Sequence, residues 1–516
     1  MSAQAAAPKP KLADVVAGIS VALVLVPQSM AYAELAGMPP HHGLFAATVP
    51  LIAAAFLASS PYVQTGPVAV TALLSLAALT SLATPQSPEY VGLAALLALV
   101  VGVVRLVIGL VGGGAISYLM SQPVIRGFTA AAALLIVASA LPQVVGVVSG
   151  GSIGEALWDA VRSPDQWRTE ALIVSAVTAV LILGGKKLHR LFPGVLVAVV
   201  FGIGYASLSH YGSPTIGEVP RVIVPPLSLD VPWARLPELL VPGAIIALVG
   251  FAEVTSLAQT FAQQTRTPWD PSKELRAQGV ANLASGLVAG FPVGGSFSRS
   301  AINKASGART RWSGAFTGLA VLLFLPFASV LSPLPKAVLG TIIVVGVLEL
   351  LDPRPLVAIW KQSRLQAIVG FATFGLTLWM APHVENAILA GIALALGVHV
   401  WREQAFEVEA RSEGDTLVLT PEGVIWFGSA PLFRRALVQE LAARPSAKRV
   451  VIDLSHVGRI DLTGALALQD VVERAREVEM PVSFAEIPAH AERILGRVCT
   501  EVPRAAHLED ANSERE

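Results

Sequence analysis

The chain has 516 residues, 54% of them hydrophobic and 14% charged, with a mean hydropathy of +0.65. Such values lie outside the range of ordinary soluble globular proteins and define a polytopic membrane protein. The formal net charge of zero balances two unlike parts: residues 1–402 hold 23 Lys and Arg against 16 Asp and Glu, and residues 403–516 hold 13 against 20.

In chain order, residues 1–12 form a short N-terminal arm carrying Lys9 and Lys11, followed by an apolar run over 13–36. Ala31-Tyr32-Ala33 resembles the small-residue end of a signal peptide, but Pro27, Gln28 and Glu34 suit neither an h-region nor its flank, so the reading is a retained first helix. Pro27 is expected to break this helix, because proline removes a backbone donor. A carboxylate such as Glu34 costs roughly 2.5 to 3.5 kcal/mol at mid-bilayer and survives where it lines a polar cavity. These irregularities point to a transport site.

Apolar stretches then recur at 41–58, 67–83, 90–110, 117–141, 170–184, 192–208, 242–264, 275–290, 297–308, 312–331, 337–351, 365–381 and 384–401, which with the first makes fourteen. Crossing a bilayer takes about 20 residues, so the short segments at 67 and 297 read as half-helices. The even count puts both termini on one side. Loops on that side hold 14 Lys and Arg, including Lys186, Arg266, Lys304 and Lys361, whereas the other side holds five, including Arg221 and Lys336. By the positive-inside rule both termini are cytoplasmic.

Beyond residue 403 the pattern becomes that of a small soluble α/β domain, 403–508, ending in a disordered tail over 509–516. Residues 416–428 read as two short strands joined by Pro421-Glu422-Gly423, and 449–455 as a buried strand. Helices are expected near 430–444 and 464–478, with a further strand near 481. The single cysteine, Cys499, has no partner for an intramolecular disulfide.

Gly290-Phe291-Pro292-Val293-Gly294-Gly295-Ser296-Phe297-Ser298-Arg299 opens the half-helix at 297. Its glycines permit close backbone approach, and the unpaired N–H groups of a helix start receive anions. Gln64-Thr65-Gly66-Pro67 stands in the corresponding place before the half-helix at 67. Glu253, inside the run AIIALVGFAEVTSLAQTF, is a rough counterpart of Glu34. Two similar halves with broken helices imply an inverted repeat with a binding site between the half-helix starts. Each dipole supplies about 0.3 to 1 kcal/mol, up to ~2 when partly buried. Millimolar binding already needs about 4 kcal/mol, so Arg299 and hydroxyls such as Ser298 must contribute. The competing readings are structural: Arg299 snorkelling or pairing with Glu34 or Glu253, Glu34 lying at the outer interface, and Gln28 and Tyr32 as interhelical hydrogen-bonders.

Signals of bond-making chemistry, cofactors or metals are absent. Gly294–Ser298 lacks the closing glycine of a nucleophile elbow, His41-His42 has no metal-ligand spacing, and no lysine-hydroxyl pair follows Gly112-Gly113-Gly114. No basic cluster with aromatics suggests nucleic acid.

The segment Val26-Pro27-Gln28-Ser29-Met30-Ala31-Tyr32-Ala33 through Leu35-Ala36-Gly37, Pro39-Pro40 and Gly43-Leu44-Phe45 resembles the first-helix signature of the sulfate permease (SulP, solute carrier family 26) family. So do Gly66-Pro67-Val68-Ala69-Val70, Gln122-Pro123-Val124 with Gly127-Phe128, and Ser298-Arg299 with Gly307 and Arg309-Thr310. The resemblance implies an α-helical membrane domain over 13–402, with fourteen segments in a seven-plus-seven inverted repeat split into a core and a gate domain. It places an anion at Gln28, Tyr32, Val68, Ser298 and Arg299. A carboxylate matching Glu253 binds sodium in bicarbonate relatives, but the supporting hydroxyl has no clear match here. Residues 450–455 with Asp461-Leu462-Thr463-Gly464 resemble a STAS domain. Leu462 stands where anti-sigma-factor antagonists have their phosphorylated serine, leaving Thr463 as an acceptor or as part of a helix start.

The expectation is therefore a secondary anion transporter of the cell membrane, a homodimer, that carries an inorganic oxyanion or small dicarboxylate with a proton on Glu34 or Glu253. Chloride/bicarbonate exchange and sodium coupling are the other transport readings. A membrane sensor with STAS output, or a protein partner docking on that domain, is the reading from a different class.

Overall fold

The computed structural model describes residues 9–114, 121–147, 153–189, 191–209, 211–227, 231–403, 407–499 and 504–505. It comprises two compact units, Met1–Ala393 and Leu394–Glu516. The tail expected at 509–516 and the start of the span expected at 117 lie outside the described residues.

The first unit contains α1 (Leu12–Leu35), α2 (Pro40–Ala46), α3 (Val49–Leu57), β1 (Gln64–Gly66), α4 (Ala69–Leu79), α5 (Pro88–Leu110), α6 (Gln122–Val145), α7 (Ile153–Arg162), α8 (Thr169–Leu188) and α9 (Gly194–Leu208). It continues with α10 (Leu236–Thr265), α11 (Pro271–Leu287), β2 (Gly294–Ser296), α12 (Phe297–Ala305), α13 (Trp312–Phe324), α14 (Lys336–Val347), α15 (Arg354–Gln362), α16 (Arg364–Trp379) and the first half of α17 (Val384–Glu403), whose residues from Leu394 on fall in the second unit. Each expected span holds a helix, and among the described residues eight helical runs are long and apolar enough to cross a bilayer. Two departures matter. Pro27 does not break α1, which continues through it. The span at 41–58 divides at Ala47-Thr48 into α2 and α3. The half-helices α4 and α12 have only 11 and 9 residues. The amphipathic helices α7 and α15, read from sequence as loops, are additional.

Packing sorts these helices into two groups. Helices α1–α5 and α10–α13 pack mainly on one another, as do α6–α9 and α14–α16. The groups meet chiefly where α1 faces α14 and α9 and where α4 faces α6. That is the core and gate division implied by the resemblance. Within the core group, α5 and α11 run antiparallel at backbone contact. A Cβ added at Gly102 would lie 2.7 Å from the Leu283 amide nitrogen, and one at Gly279 2.7 Å from that of Leu106. Gly109 and Gly286 make equally close approaches one heptad further along each helix. Small residues at such a seam let membrane helices gain contact that the hydrophobic effect cannot supply within lipid.

The second unit has β3 (Glu407–Glu413), β4 (Thr416–Ile425), α18 (Ala430–Ala443), β5 (Arg449–Asp453), β6 (Val457–Ile460), α19 (Leu462–Glu477), β7 (Val482–Ala485), α20 (Ala489–Val498) and β8 (Arg504–Ala505). The sheet order is β3-β4-β5-β7-β8, with β6 also paired to β4. Leu419, Ile452, Phe484 and Leu468 fill its core. The two short strands expected at 416–428 are one strand, β4. Its first half pairs with β5 and its end with β6, with a register shift between Gly423 and Val424. Proline withholds one ladder donor, so Pro421-Glu422-Gly423 marks a change of partner rather than a turn. Asp461 caps α19 by accepting the Gly464 N–H at 2.7 Å, and Thr463 is exposed in the first turn.

Because the expected anion contacts all fall in the first unit, a chain ending at Glu403 should insert in the membrane and keep the anion affinity of the full chain. Ligand-induced thermal stabilisation of the purified truncation measures this. Loss of binding by folded truncated protein would refute the division of labour.

Candidate functional site

The local construction at the centre of the core group is used twice. A three-residue strand leads into a short helix in each half, and the two strands pair antiparallel: Gln64 with Ser296, Thr65 with Gly295 and Gly66 with Gly294. Val68, buried and extended at φ −140° and ψ 152°, precedes α4 without a side-chain cap. Ser296 precedes α12, and its hydroxyl accepts the Arg299 N–H at 3.4 Å. The first N–H groups of each helix lack intrahelical acceptors and carry the positive end of the dipole.

Arg299 lies in the first turn of α12 with no exposed surface. None of its guanidinium nitrogens has a hydrogen-bond partner within the described chain. A Cβ built on Gly66 would lie 3.4 Å from Nη2, so the guanidinium reaches across the ribbon to the strand that opens α4. Tyr32 lies within its electrostatic reach. Gln28 and Tyr32, four residues apart on one face of α1, are both buried. Gln28 Oε1 also lacks a partner. Ser298 is exposed, its hydroxyl 3.3 Å from that of Ser296. The structure thus buries Gln28, Tyr32 and Arg299 in the core group and places Val68 and Ser298 at the two helix starts. The donors available there suit an anion.

Non-helical backbone at membrane depth persists only where its polar groups are paired. Helix α11 supplies much of that pairing through a buried stripe of Glu274, Gln278, Asn282 and Ser285. Glu274 Oε2 accepts the N–H groups of Ser59 and Ser60, both at 2.9 Å. Gln278 Nε2 donates to Thr65 Oγ1 at 2.8 Å. Asn282 exchanges two bonds with Val293, and the Ser285 hydroxyl donates to the Phe291 carbonyl at 2.7 Å. Arg105 on α5, fully buried, completes the support by donating to the carbonyls of Ile246, Ala247 and Val293. Sequence reading missed these residues. A lone arginine in the apolar run 90–110 was the available signal, since an intramembrane charge implies a functional partner.

Neither carboxylate proposed as a partner for Arg299 is its partner. Glu34 Oε1 is 2.6 Å from Lys336 Nζ, and the Glu34 side chain is 2% exposed. This pair ties the end of α1 to the start of α14, and so joins the two helix groups. Glu253 instead faces the Arg105 guanidinium electrostatically and is half-buried, with exposed Ser256 and Thr260 following it along α10.

The bundle ends can be told apart. Asp14, near the start of α1, accepts the N–H groups of Arg309 and Thr310, and Lys304 donates to Gln264 Oε1 near the end of α10. The exposed stripe therefore leads toward the end of the bundle where α1 begins, and the Glu34–Lys336 pair lies at the opposite end.

A paired set of broken helices aimed at a buried guanidinium defines a membrane carrier of anions. The sequence pattern of the Sulfate permease family matches residues 12–373 and that of the STAS domain residues 407–499. The chain belongs to the sulfate permease family and is an anion transporter, not an enzyme. It is 29% identical over 501 residues to the sodium-independent sulfate anion transporter of Bos taurus, covering 89% of this chain and 81% of that one. With a probable sulfate transporter of Mycobacterium tuberculosis it shares 34% identity over 397 residues, 74% of this chain and 69% of the relative. The structure of the murine Solute Carrier 26 family member A9 anion transporter, in the inward-facing state, superposes with a TM-score of 0.89 at 20% identity, covering 98% of this chain and 92% of that one.

Arg299→Ala should weaken anion binding by about 100-fold, the worth of roughly two charge-assisted hydrogen bonds. Lys304→Ala should leave affinity nearly unchanged, because that ammonium is held by Gln264 and lies over the Phe261 ring. Equilibrium binding to both folded variants decides the matter, and equal losses would move the site elsewhere.

Proposed function

We propose that this chain is a secondary active transporter that moves a small oxyanion or dicarboxylate, sulfate foremost, across the cell membrane together with a proton. The observation that carries the reading is the fully buried Arg299 guanidinium at paired half-helix starts, with no hydrogen-bond partner among the described residues. Two dipoles give about 1 to 4 kcal/mol, and each hydrogen bond to a charged group adds about 1.5 to 3. Together these reach the ~8 kcal/mol of micromolar affinity. The names of the sulfate-transporting relatives support the choice of anion.

With both termini in the cytoplasm, as the loop charges favour, the exposed stripe on α10 opens inward and the Glu34–Lys336 pair closes the outside. Alternating access then slides the core group, with the anion, along the gate group, and the outer pair must separate in each cycle. Glu34 is thereby assigned to closure, and Glu253 becomes the proton carrier. Arg105 and Arg299 provide two fixed positive charges beside one titratable negative one. Protonating Glu253 raises the local charge from +1 to +2, matching a divalent anion.

Proteoliposomes should accumulate labelled sulfate when an inward proton gradient is imposed and lose the accumulation when it is collapsed. Binding without uptake would instead favour a sensor. Glu253→Gln should abolish gradient-driven accumulation while preserving binding, whereas Glu34→Gln should retain it. The opposite result would return the proton to Glu34. Glu34→Gln and Lys336→Gln should each lower the thermal midpoint, and the double variant should lose less than their sum because the lost interaction is shared.

A further inference from the structure

The amphipathic helix α15 has a place in the gate group that its neighbours fix. Lys336 opens α14 and pairs with Glu34 at the end of α1, so α14 finishes on the side of the bundle where α1 begins. Helix α15 follows there after a short turn at Leu348–Leu351. Near the start of α6, Arg126 Nη1 donates to the Pro355 carbonyl at 3.0 Å. Leu356 and Ile359 are buried with Ala367 of α16, while Val357 and Trp360 are about half exposed. The Trp360 ring meets that of Phe371 edge-on, with centroids 6.2 Å apart. Phe371 and Ile368 form an exposed apolar stripe on α16, within the expected span 365–381, and such a stripe faces lipid. A tryptophan at its edge marks the membrane–water boundary.

Charge completes the pattern. Residues 352–364 hold Arg354, Lys361 and Arg364 against Asp352, and Asp352 lies 3.8 Å from Arg354 Nε. Lys361 and Arg364, both exposed, have no carboxylate partner among the described residues. The far end of α6 leads instead to α7, which exposes Trp158 too. There residues 155–165 hold Glu155, Asp159 and Asp165 against Arg162. Two tryptophan-bearing amphipathic helices thus stand at opposite ends of one helix group with opposite net charge.

We propose that α15 and its junction with α16 bind the headgroup of an anionic phospholipid, Trp360 and Val357 entering the acyl boundary while Lys361 and Arg364 take the phosphate. An amphipathic helix that presents aromatic and aliphatic side chains beside cations suits such a surface, and the apolar side chains have no use for a free anion. The inference goes beyond the transport reading and does not depend on it. In the proposed cycle, a gate held at fixed depth by lipid is the part against which the core moves.

The test titrates purified full-length protein in neutral detergent with dioctanoyl phosphatidylglycerol, dioctanoyl phosphatidylcholine or glycerol 3-phosphate and follows the thermal midpoint. Phosphatidylglycerol should raise the midpoint by several degrees, because a ligand that binds the folded state stabilises it, and added salt should reduce the gain. Phosphatidylcholine should not reproduce it. Lys361→Gln/Arg364→Gln should weaken the apparent affinity for phosphatidylglycerol roughly 20-fold, about fivefold per cation. Lys361→Arg/Arg364→Lys should retain it, as should Arg162→Gln at the α7 end. Equal shifts with the two lipids, or equal losses in the α15 and α7 variants, would overturn the proposal. A glycerol 3-phosphate response as large as that of phosphatidylglycerol, and lost in the double glutamine variant, would assign the site to a free phosphate and overturn it as well. Light scattering supplies the remaining arm: a double variant of half the wild-type mass would make a second copy of the chain the occupant. If that variant does not fold, the comparison of the two lipids on wild type still decides. No anion need be bound for any of these readings, so failure of the transport reading leaves them intact.

Discussion

A membrane interior offers no water to a broken helix, and that constraint organises this structure. To present two helix starts to an anion, the chain must leave α-helical geometry at 58–68 and 288–296, exposing amides and carbonyls to an apolar medium. Each such group costs about 1 to 3 kcal/mol if left unpaired. The β1–β2 ribbon pairs some of them. Helix α11 pairs more through Glu274, Gln278, Asn282 and Ser285, and Arg105 takes the carbonyls nearest α10. An expected span that is weakly apolar is thus explained by what it supports. One stripe of α11 is polar because it hydrogen-bonds the backbone of the site.

The charged groups divide along the same lines. Asp14 is committed to the Arg309 and Thr310 amides, Glu274 to those of Ser59 and Ser60, and Glu34 to Lys336. Arg299 alone among the buried arginines has no acceptor within the described chain, whereas Arg105 has three. In a low-dielectric interior this difference separates a support from a binding group, because an uncompensated charge is strongly disfavoured until a counter-charge arrives.

Much of this was legible in the sequence because the signals were local. Glycine and proline before short apolar runs marked both half-helices, and the Gln28/Tyr32 spacing put two polar groups on one face of α1. What stayed hidden depended on contacts between distant elements. Lys336 looked like an ordinary loop charge because its partner Glu34 lies some three hundred residues earlier, and no local signal joins the two. Arg105 was passed over inside a run whose hydropathy alone suggested a plain span. In the second unit, Pro421 obscured the continuity of β4, because a change of strand partner leaves the same local trace as a turn.

The glycine seam between α5 and α11 bears on which parts of the carrier are free to deform. With backbones touching at Gly102, Gly109, Gly279 and Gly286, neither helix can rotate or slide without a steric clash, so the pair behaves as a single beam. Arg105 and Asn282 of that beam both hold the Val293 backbone just before β2, and Gln278 holds Thr65 of β1. In the proposed cycle the anion cradle would keep its shape, and compliance would fall to contacts between the two helix groups, such as α1 against α14. A bulky substitution in the seam would act as a misalignment at the cradle, several turns of helix away from any atom the anion touches.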